Sequence, residues 1–318
     1  MLPYKVIVTN KQLSGSGVSG EAEFEFLSLA DAKAYATSLT TAYSQVNVYI
    51  WDGTTVIPYE SSAPAFDADY QAVLDRSTAL GYTAPSAAQQ TLQNTLVTDL
   101  KTAGVWTKMK AIYPIVGGTA SSHKFNLKDP RDLDAAFRLT FTSGFTHSAD
   151  GMVGNGTSAT ANTYLNPAND LASVDSNSLS VYLNTGTSAA QHIEIGQNNN
   201  QWLSAIRWSG DQTYIYNPTN QVVIREPNTE ARGLTINTRR AINDFVFYRA
   251  GTLIGSNTSN RIASFPSASV HLGSAGGSSY YSNRRIAFAS IGDGLTDSDI
   301  STFTTAINAF QTTLGRQV

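Results

Sequence analysis

Apolar and polar positions alternate with a period of two over most of this chain, and a helical period occupies only a few segments. Alternation of that kind indicates β-strands, whereas apolar residues three and four positions apart indicate helices. Within residues 1–60, Ser28 and Asp31 have the spacing of a capping box at the start of a helix. Strands are predicted on either side of that helix, at residues 5–9, 21–26, 46–51 and 55–59. Residues 1–60 therefore predict a small β-β-α-β-β domain.

A linker and two helices are predicted in residues 61–104. The linker covers residues 61–67, and the first helix follows it and ends before Gly81. The second helix begins at Ser86, whose capping partner is Gln89, and ends at Gly104. The two helices are expected to form a hairpin between two β-rich regions.

Residues 105–318 predict a β domain that is closed by one helix. Short alternating strands, such as the one with Leu179, Val181 and Leu183 on one face, recur about every 8–12 residues, a spacing typical of two packed sheets. Thr296 and Asp299 form a capping box at the start of the last helix, and Gly315 follows its end. Its large apolar residues, spaced by three and four, predict one buried face: Ile300, Phe303, Ile307, Phe310 and Leu314. The predicted fold class is mainly β, with a two-sheet sandwich as the main domain.

Composition then excludes several kinds of chemistry. Charged residues make up only 14% of the chain, against roughly 25% in an average soluble protein. With a net charge of −3 and no block of Lys and Arg, the chain lacks the clustered cations of a nucleic-acid binder. The absence of cysteine excludes disulfides, thiolate zinc sites and cysteine nucleophiles. No cofactor or metal is expected.

The sequence also lacks the patterns that direct a chain to or through a membrane. Its first residues show no basic region followed by a long apolar run, as a secretory signal requires. No run approaches the roughly 18 apolar residues that span a bilayer. Membrane insertion is therefore not expected, and the chain is expected to stay in the cytosol or to leave inside an assembly such as a virus particle.

Three segments carry a family resemblance. Residues 91–117 read TLQNTLVTDLKTAGVWTKMKAIYPIVG, and residues 121–137 read SSHKFNLKDPRDLDAAF. Residues 286–314 read IAFASIGDGLTDSDISTFTTAINAFQTTL. Together they resemble a group of structural proteins of tailed bacteriophages and prophages, in which a helix with the pattern LxxDLKxxGxWxKM precedes a concanavalin-A-like (laminin-G-like) jelly roll. The resemblance covers about residues 67–318. Within that range, residues 151–276 match the group mainly in pattern, whereas the segments at the two ends match in specific residues.

The resemblance implies a jelly-roll sandwich and a place in the virion as a fibre, tail appendage or capsid decoration. Attachment to other virion proteins would then run through residues 1–104, with the jelly roll displayed outside. Appendages occupy symmetric sites on a particle, so a homo-oligomer is expected, with a trimer as the guess. No ligand follows from the resemblance.

Carboxylates are the first candidates for catalysis, because a glucanase needs two of them about 5–5.5 Å apart for retention. The triplet Glu21, Glu23 and Glu25 has suitable strand spacing but lies outside the sandwich and is expected to be a solvated strand face. Two clusters of aspartates suggest either cation sites or purely structural roles: Asp293, Asp297 and Asp299 at a helix start, and Asp129, Asp132 and Asp134 in a turn. Helix capping and a turn are the favoured interpretations. The enzyme hypothesis is disfavoured, and no catalytic residue is predicted.

His192 and Glu194 lie two residues apart on one predicted strand, so their side chains share a face. An imidazole beside a carboxylate can act as an acid–base pair or hold a metal ion. No second histidine lies nearby in the sequence, and the favoured interpretation is an outward polar strand face.

Aromatic residues give the best candidate for ligand binding. Trp202, Trp208, Tyr214 and Tyr216 share sequence parity across two predicted strands, and Asn198–Asn200 and Gln201 are close in sequence. An exposed aromatic face of this kind stacks on sugar rings, whereas a buried one is core or a subunit contact. Tyr280 and Tyr281, in a Gly/Ser-rich segment, have the same two interpretations.

The favoured hypothesis is a non-catalytic virion structural protein whose lectin-like domain adheres to glycans of the host surface. Adhesion by many copies turns weak sites into useful avidity. The first alternative is a glycan-degrading, glucanase-like virion enzyme. The second is a purely architectural virion subunit that binds no glycan.

Overall fold

The structure is a computed structural model that describes residues 4–10, 22–42, 46–51, 54–58, 66–186, 189–197, 202–218, 224–260 and 264–318. The chain divides into two compact units, Met1–Ala65 and Phe66–Val318. Within the described residues, no helix is long and apolar enough to cross a membrane.

The first unit has the predicted β-β-α-β-β order of elements. Its elements are β1 (Tyr4–Asn10), β2 (Ala22–Phe26), α1 (Leu29–Ala42), β3 (Val46–Trp51) and β4 (Val56–Pro58). The strands form one antiparallel sheet in the order β2-β1-β3-β4. Helix α1 covers one face of this sheet, and its Ala32 and Ala36 pack on Val6, Val48 and Ile50. These small helical residues let the helix lie close to the sheet.

The second unit contains two sheets that pack face to face. Its strands are β5 (Met109–Tyr113), β6 (Thr140–Phe141), β7 (Thr146–Ser148), β8 (Gly151–Val153), β9 (Ala161–Asn162), β10 (Asn177–Leu183), β11 (Ile195–Gly196), β12 (Leu203–Trp208), β13 (Gln212–Tyr216), β14 (Ile224–Pro227), β15 (Gly233–Ala241), β16 (Asp244–Arg249), β17 (Thr252–Asn257), β18 (His271–Leu272) and β19 (Arg285–Gly292). The first sheet has the order β17-β16-β15-β10-β19-β8-β7, with β5 also paired to β19. The second has the order β14-β13-β12-β11-β18-β9-β6. The predicted mainly β, two-sheet sandwich is therefore confirmed.

The sandwich core lies between these two sheets. Leu179, Val181 and Leu183 of β10 face it together, as their predicted alternation requires. Ile195 of β11 and Ile206 of β12 meet them from the second sheet. The other face of β10 is buried too, because helices cover it, and this strand therefore has no solvated face.

The helices of the second unit are α2 (Ala68–Ala79), α3 (Ala87–Thr102), α4 (Ala120–His123), α5 (Pro167–Asp170) and α6 (Asp297–Thr313). The three longer ones, α2, α3 and α6, form a third layer on the first sheet. Leu96 of α3 and Phe303 of α6 share one hydrophobic cluster with Tyr182, Ile236 and Phe288 of the sheet. The helical hairpin expected as a separate segment thus belongs to the same compact unit as the sandwich.

The last helix forms as predicted. The Thr296 side chain accepts a hydrogen bond from the Asp299 backbone N–H, and the Asp299 carboxylate accepts one from the Thr296 N–H. Gly315 follows the helix with φ of 69°, a conformation that glycine adopts without strain. Ile300, Phe303, Ile307 and Phe310 are buried, as expected from their spacing.

Candidate functional site

An aromatic concavity lies on the outer face of the second sheet, on the side away from the sandwich core. Its volume is about 210 Å³. Half-exposed aromatic rings and three buried apolar side chains line it: Trp208, Tyr214, Tyr216, Tyr280, Ile193, Leu203 and Ala205. We call this group the aromatic concavity.

Strand register places three of the rings together. In the antiparallel pair β12–β13, Leu203 lies opposite Tyr216 and Ala205 lies opposite Tyr214. A register shift between Ala205 and Trp208 then brings Trp208 to the same face as these residues. The Trp208 and Tyr214 ring centroids are 6.2 Å apart in an edge-on arrangement.

Tyr280 closes the concavity from a loop. Its backbone adopts φ of 54°, an uncommon conformation for a residue with a side chain. The Ile193 N–H donates a hydrogen bond of 3.0 Å to the Tyr280 carbonyl, which anchors this backbone to the segment just before β11. The Tyr280 ring lies edge-on to Trp208 with a centroid distance of 4.9 Å, and 42% of the residue is exposed.

The phenol groups give the apolar concavity polar edges. Burial raises the pKa of Tyr216, and the neighbouring Tyr214 and Tyr280 raise it further. The Tyr216 hydroxyl therefore stays protonated at neutral pH. An apolar floor with hydroxyl donors and acceptors at its rim suits a ligand that has both C–H faces and hydroxyl groups.

The structure separates Trp202 from the other predicted aromatic residues, which corrects the expectation of one shared face. Trp202 is 0% exposed and packs in the sandwich core against Phe265, with ring centroids 5.0 Å apart. Simple parity placed Trp202 beside Trp208, but the register shift in β12 reverses the alternation between them. Trp202 is therefore a core residue.

Tyr281 also lies outside the aromatic concavity. Its hydroxyl donates a hydrogen bond of 3.1 Å to the Gly277 carbonyl and so belongs to the internal structure of the loop. Asn198–Asn200 and Gln201 fall outside the described residues. Sequence reasoning missed the apolar floor, because Ile193, Leu203 and Ala205 are ordinary strand residues with no local signal of a site.

Glu194 is buried, which corrects the expectation of an outward polar face. It is 0% exposed and accepts a hydrogen bond of 2.7 Å from Arg284, which is itself buried. The Ile206 N–H donates to the other carboxylate oxygen at 3.0 Å. Burial raises the pKa of the Glu194 carboxyl, while Arg284 and these hydrogen bonds favour the charged form. We interpret this group as the buried anchor beneath the aromatic concavity.

His192 is half-buried, and its pKa is lowered to about 4 by burial and by the charge of Arg284. It is therefore neutral at pH 7 and has no preformed partnership with the ion-paired Glu194. Among the described residues, no group of three or more His, Cys, Asp and Glu side chains has the arrangement of a metal site.

The acidic groups noted in the sequence form structural contacts. Asp299 caps α6 and pairs with Lys108 at 2.5 Å, and Asp297 pairs with Arg240 at 2.5 Å. Asp132 pairs with both Lys124 and Arg138 at 2.9 Å. In the same group as Asp132, Asp129 pairs with Arg131 and Asp134 with Arg138. Glu21 lies outside the described residues, and of the side chains in that triplet only Glu25 is described, 3.7 Å from Lys5.

Sequence reasoning also missed a histidine pair. The Nδ1 atoms of His123 and His147 lie 2.9 Å apart, and the Gly118 N–H donates to His123 Nε2 at 3.2 Å. Because that Nε2 accepts, His123 carries its proton on Nδ1 and donates it to His147. Burial lowers the pKa of His123 to about 3, with contributions from His147 and Arg316. Burial also lowers the pKa of His147.

We expect acid to destabilise the second unit between pH 6.5 and about 4. The folded pKa of His123 lies below the unfolded value of about 6.5, so the unfolded chain binds its proton first as the pH falls. His192 and His271, whose pKa values burial lowers to about 4, act in the same direction. Stability contributed by neutral histidines is thus present above pH 6.5 and lost below it, by about 1.4 kcal/mol per pH unit per histidine.

Urea unfolding at pH 7.0 and pH 5.0 measures this effect. The urea concentration at the midpoint of unfolding is expected to be lower at pH 5.0 than at pH 7.0. His123→Gln should reduce this difference because it removes one of the titrating groups. A midpoint that is unchanged at pH 5.0 in the unmodified protein contradicts the prediction.

Comparison with known proteins gives structural neighbours only. No protein-family model matches the sequence, and no curated protein gives a significant match. A sialidase from Trypanosoma rangeli in complex with sialic acid is similar with a TM-score of 0.44 and 12% identity, over 61% of this chain and 32% of the sialidase. Domain 4 of AbnA, a GH43 extracellular arabinanase from Geobacillus stearothermophilus in complex with arabinotriose, has a TM-score of 0.38 and 13% identity, over 62% of this chain and 98% of that domain.

The binding domain of botulinum neurotoxin DC, in complex with SialylT, has a TM-score of 0.35 and 15% identity, over 47% of this chain and 39% of that one. The chain spans between 29% and 49% of the length of the sialidase chains it resembles. Several of these matches are to sialidases and one is to an arabinanase domain, so the expectation that the protein is not an enzyme finds no support in them.

Proposed function

We propose that the second unit is a glycan-binding domain and that the aromatic concavity receives a sugar ring. The observation that carries the proposal is the set of half-exposed rings of Trp208, Tyr214, Tyr216 and Tyr280 around an apolar floor. Large aromatic side chains usually bury their faces, and four of them gathered around one concavity on an outer sheet face leave a surface suited to stacking.

The size and chemistry of the aromatic concavity support one sugar ring rather than a larger ligand. Its volume of about 210 Å³ is below the roughly 300–1,000 Å³ of pockets that enclose drug-sized ligands. The rings of Trp208 and Tyr280 meet edge-on, so one face of each is free to contact C–H groups. The phenol hydroxyls add hydrogen bonds to sugar hydroxyls, and no carboxylate is among the lining residues.

We also propose that this domain is of the concanavalin-A-like jelly-roll class and that it is displayed on a bacteriophage particle. Support for both comes from the resemblance of residues 91–137 and 286–314 to phage structural proteins. In this proposal residues 1–104 contact other virion proteins, the protein is a homotrimer, and many copies adhere to host-surface glycans. Mass spectrometry of purified bacteriophage particles tests whether the protein is part of the virion. Its mass in solution tests the oligomeric state.

Replacing Trp208 by alanine is expected to weaken glycan binding at least tenfold, because tryptophans that become buried by the bound partner are among the residues that contribute most to affinity. The full chain is applied to an array of oligosaccharides, and the affinity for those it retains is measured by titration. Tyr280→Ala should weaken binding in the same direction, because it removes the opposite wall.

Trp51→Ala is the matched control, since Trp51 is a half-buried tryptophan of the first unit. It is expected to leave affinity unchanged. Retention of no oligosaccharide by the unmodified protein overturns the proposal and favours the architectural alternative. The release of reducing ends, measured after each retained oligosaccharide is incubated with the full chain, shows whether a bound glycan is also cleaved.

A further inference from the structure

An arginine stands at the rim of the aromatic concavity. Arg225 of β14 lies directly opposite Tyr214 of β13 in the antiparallel register, and side chains of directly opposed residues share one face of a sheet. The Arg225 guanidinium carbon is 5.1 Å from the Tyr214 ring centroid, within the range of a cation–π contact. Tyr214 itself lines the aromatic concavity, so the guanidinium lies beside the opening.

The charge of Arg225 faces solvent. The residue is exposed, and in the described part of the chain no carboxylate lies within salt-bridge distance of its guanidinium. The adjacent Glu226 points to the other face of β14, where its side chain lies next to Gly255. Asp211, at the nearby hairpin turn, is paired with Arg207 at 2.8 Å. Among the described residues, the rim of the aromatic concavity therefore carries a positive charge with no carboxylate at salt-bridge distance.

We propose that the aromatic concavity prefers sugars that carry a carboxylate, such as hexuronic acids, and that Arg225 binds this carboxylate while the rings contact the sugar. A guanidinium is planar and presents two parallel N–H groups that match the two oxygens of a carboxylate. Its cation–π contact with Tyr214 holds the guanidinium at the rim of the aromatic concavity. This inference rests on the proposed function, since it concerns the ligand class of the same site.

The test compares glycans that differ only in the carboxylate. Oligosaccharides that contain hexuronic acids are printed beside the same oligosaccharides after reduction of the carboxyl to a primary alcohol, together with neutral glycans. The full chain is expected to bind an acidic oligosaccharide about fivefold more tightly than its reduced form, the upper end for an exposed ion pair. The preference should shrink at high salt, because an exposed pair is screened.

Three variants complete the experiment. Arg225→Gln is expected to remove the preference and to keep binding to the reduced form, while Arg225→Lys keeps part of the preference. Arg131→Gln is the control, because Arg131 is an exposed arginine outside the aromatic concavity. Equal binding of acidic and reduced forms by the unmodified protein, or a preference that survives in Arg225→Gln, overturns this inference but leaves the proposed function intact. Absence of binding to every glycan overturns both.

Discussion

Replacing Arg284 by methionine is expected to lower the free energy of unfolding by about 3–5 kcal/mol. The variant leaves the Glu194 carboxylate, which is 0% exposed, without its cation, and removal of one partner of a buried ion pair costs about that much. It also removes the hydrogen bond from Arg284 to the Arg207 carbonyl, 2.7 Å long. Urea unfolding at pH 7 measures the loss.

The neighbouring arginine provides a matched control. Arg285 is partly exposed and lies 3.9 Å from Asp150, so Arg285→Met should cost less than about 1 kcal/mol. The double variant Glu194→Gln/Arg284→Met should lose less than the sum of the single changes, because the neutral amide no longer needs a cation. Additive losses would show that the two side chains act independently and would contradict the assigned pairing.

The pH dependence of Arg284→Met gives a second readout. Without the cation, the lowering effect of Arg284 is lost, and burial raises the pKa of the Glu194 carboxyl further above the unfolded value of about 4.3. A raised pKa in the folded state makes folding more favourable as the carboxyl becomes protonated. The stability difference between Arg284→Met and the unmodified protein should therefore narrow as the pH falls from 7 to 5.

Replacing Gly196 by alanine is the second change with a large expected effect, about 2–5 kcal/mol of unfolding free energy. A Cβ at this position would lie 2.2 Å from Leu203 Cβ and 2.5 Å from Leu203 Cα. The backbone φ of 154° is also unfavourable for a residue with a side chain. Overpacking and backbone strain each cost about 1–3 kcal/mol. Thermal and urea unfolding measure the effect.

Gly210 is the control for the backbone contribution alone. Its φ is 78°, and a Cβ there would meet nothing within 4 Å. Gly210→Ala should therefore cost about 1 kcal/mol. Because Leu203 forms part of the floor of the aromatic concavity, Gly196→Ala should also weaken glycan binding, whereas Gly210→Ala should not. Equal stability losses in the two variants contradict the proposed clash.

Local signals in the sequence predicted the elements that local interactions determine. The capping box of Thr296 and Asp299 predicted the start of α6, and the alternation of Leu179, Val181 and Leu183 predicted the inner face of β10. Shared sequence parity predicted one face for Trp202, Trp208, Tyr214 and Tyr216, and the three that lie on or beside the β12–β13 turn do share it. In each of these segments the residues that decide the outcome are near neighbours in the chain.

Long-range contacts explain where the sequence was misleading. The burial of Glu194 depends on Arg284, which lies 90 residues later, and no local pattern links the two. The placement of Trp202 depends on an irregular register between β12 and β13, and alternation alone does not reveal such a shift. Arg225 reaches the site only because β14 pairs with β13.

Hydrogen bonds to Glu194 hold both ends of the segment that carries Tyr280 in place. Its carbonyl accepts the Gly273 N–H at 2.8 Å, and its carboxylate accepts from Ser282 at 3.4 Å and from Arg284 at 2.7 Å. The segment is thus a loop whose two ends are fixed. Lengthening such a loop costs little conformational entropy, about 0.6 kcal/mol for each doubling of its length. The exposed tip of this segment can therefore vary in length and composition, whereas Ser274 and Ala275 near its start are buried against the sandwich. Related chains with different loops here would share one scaffold and differ in the ligand they accept.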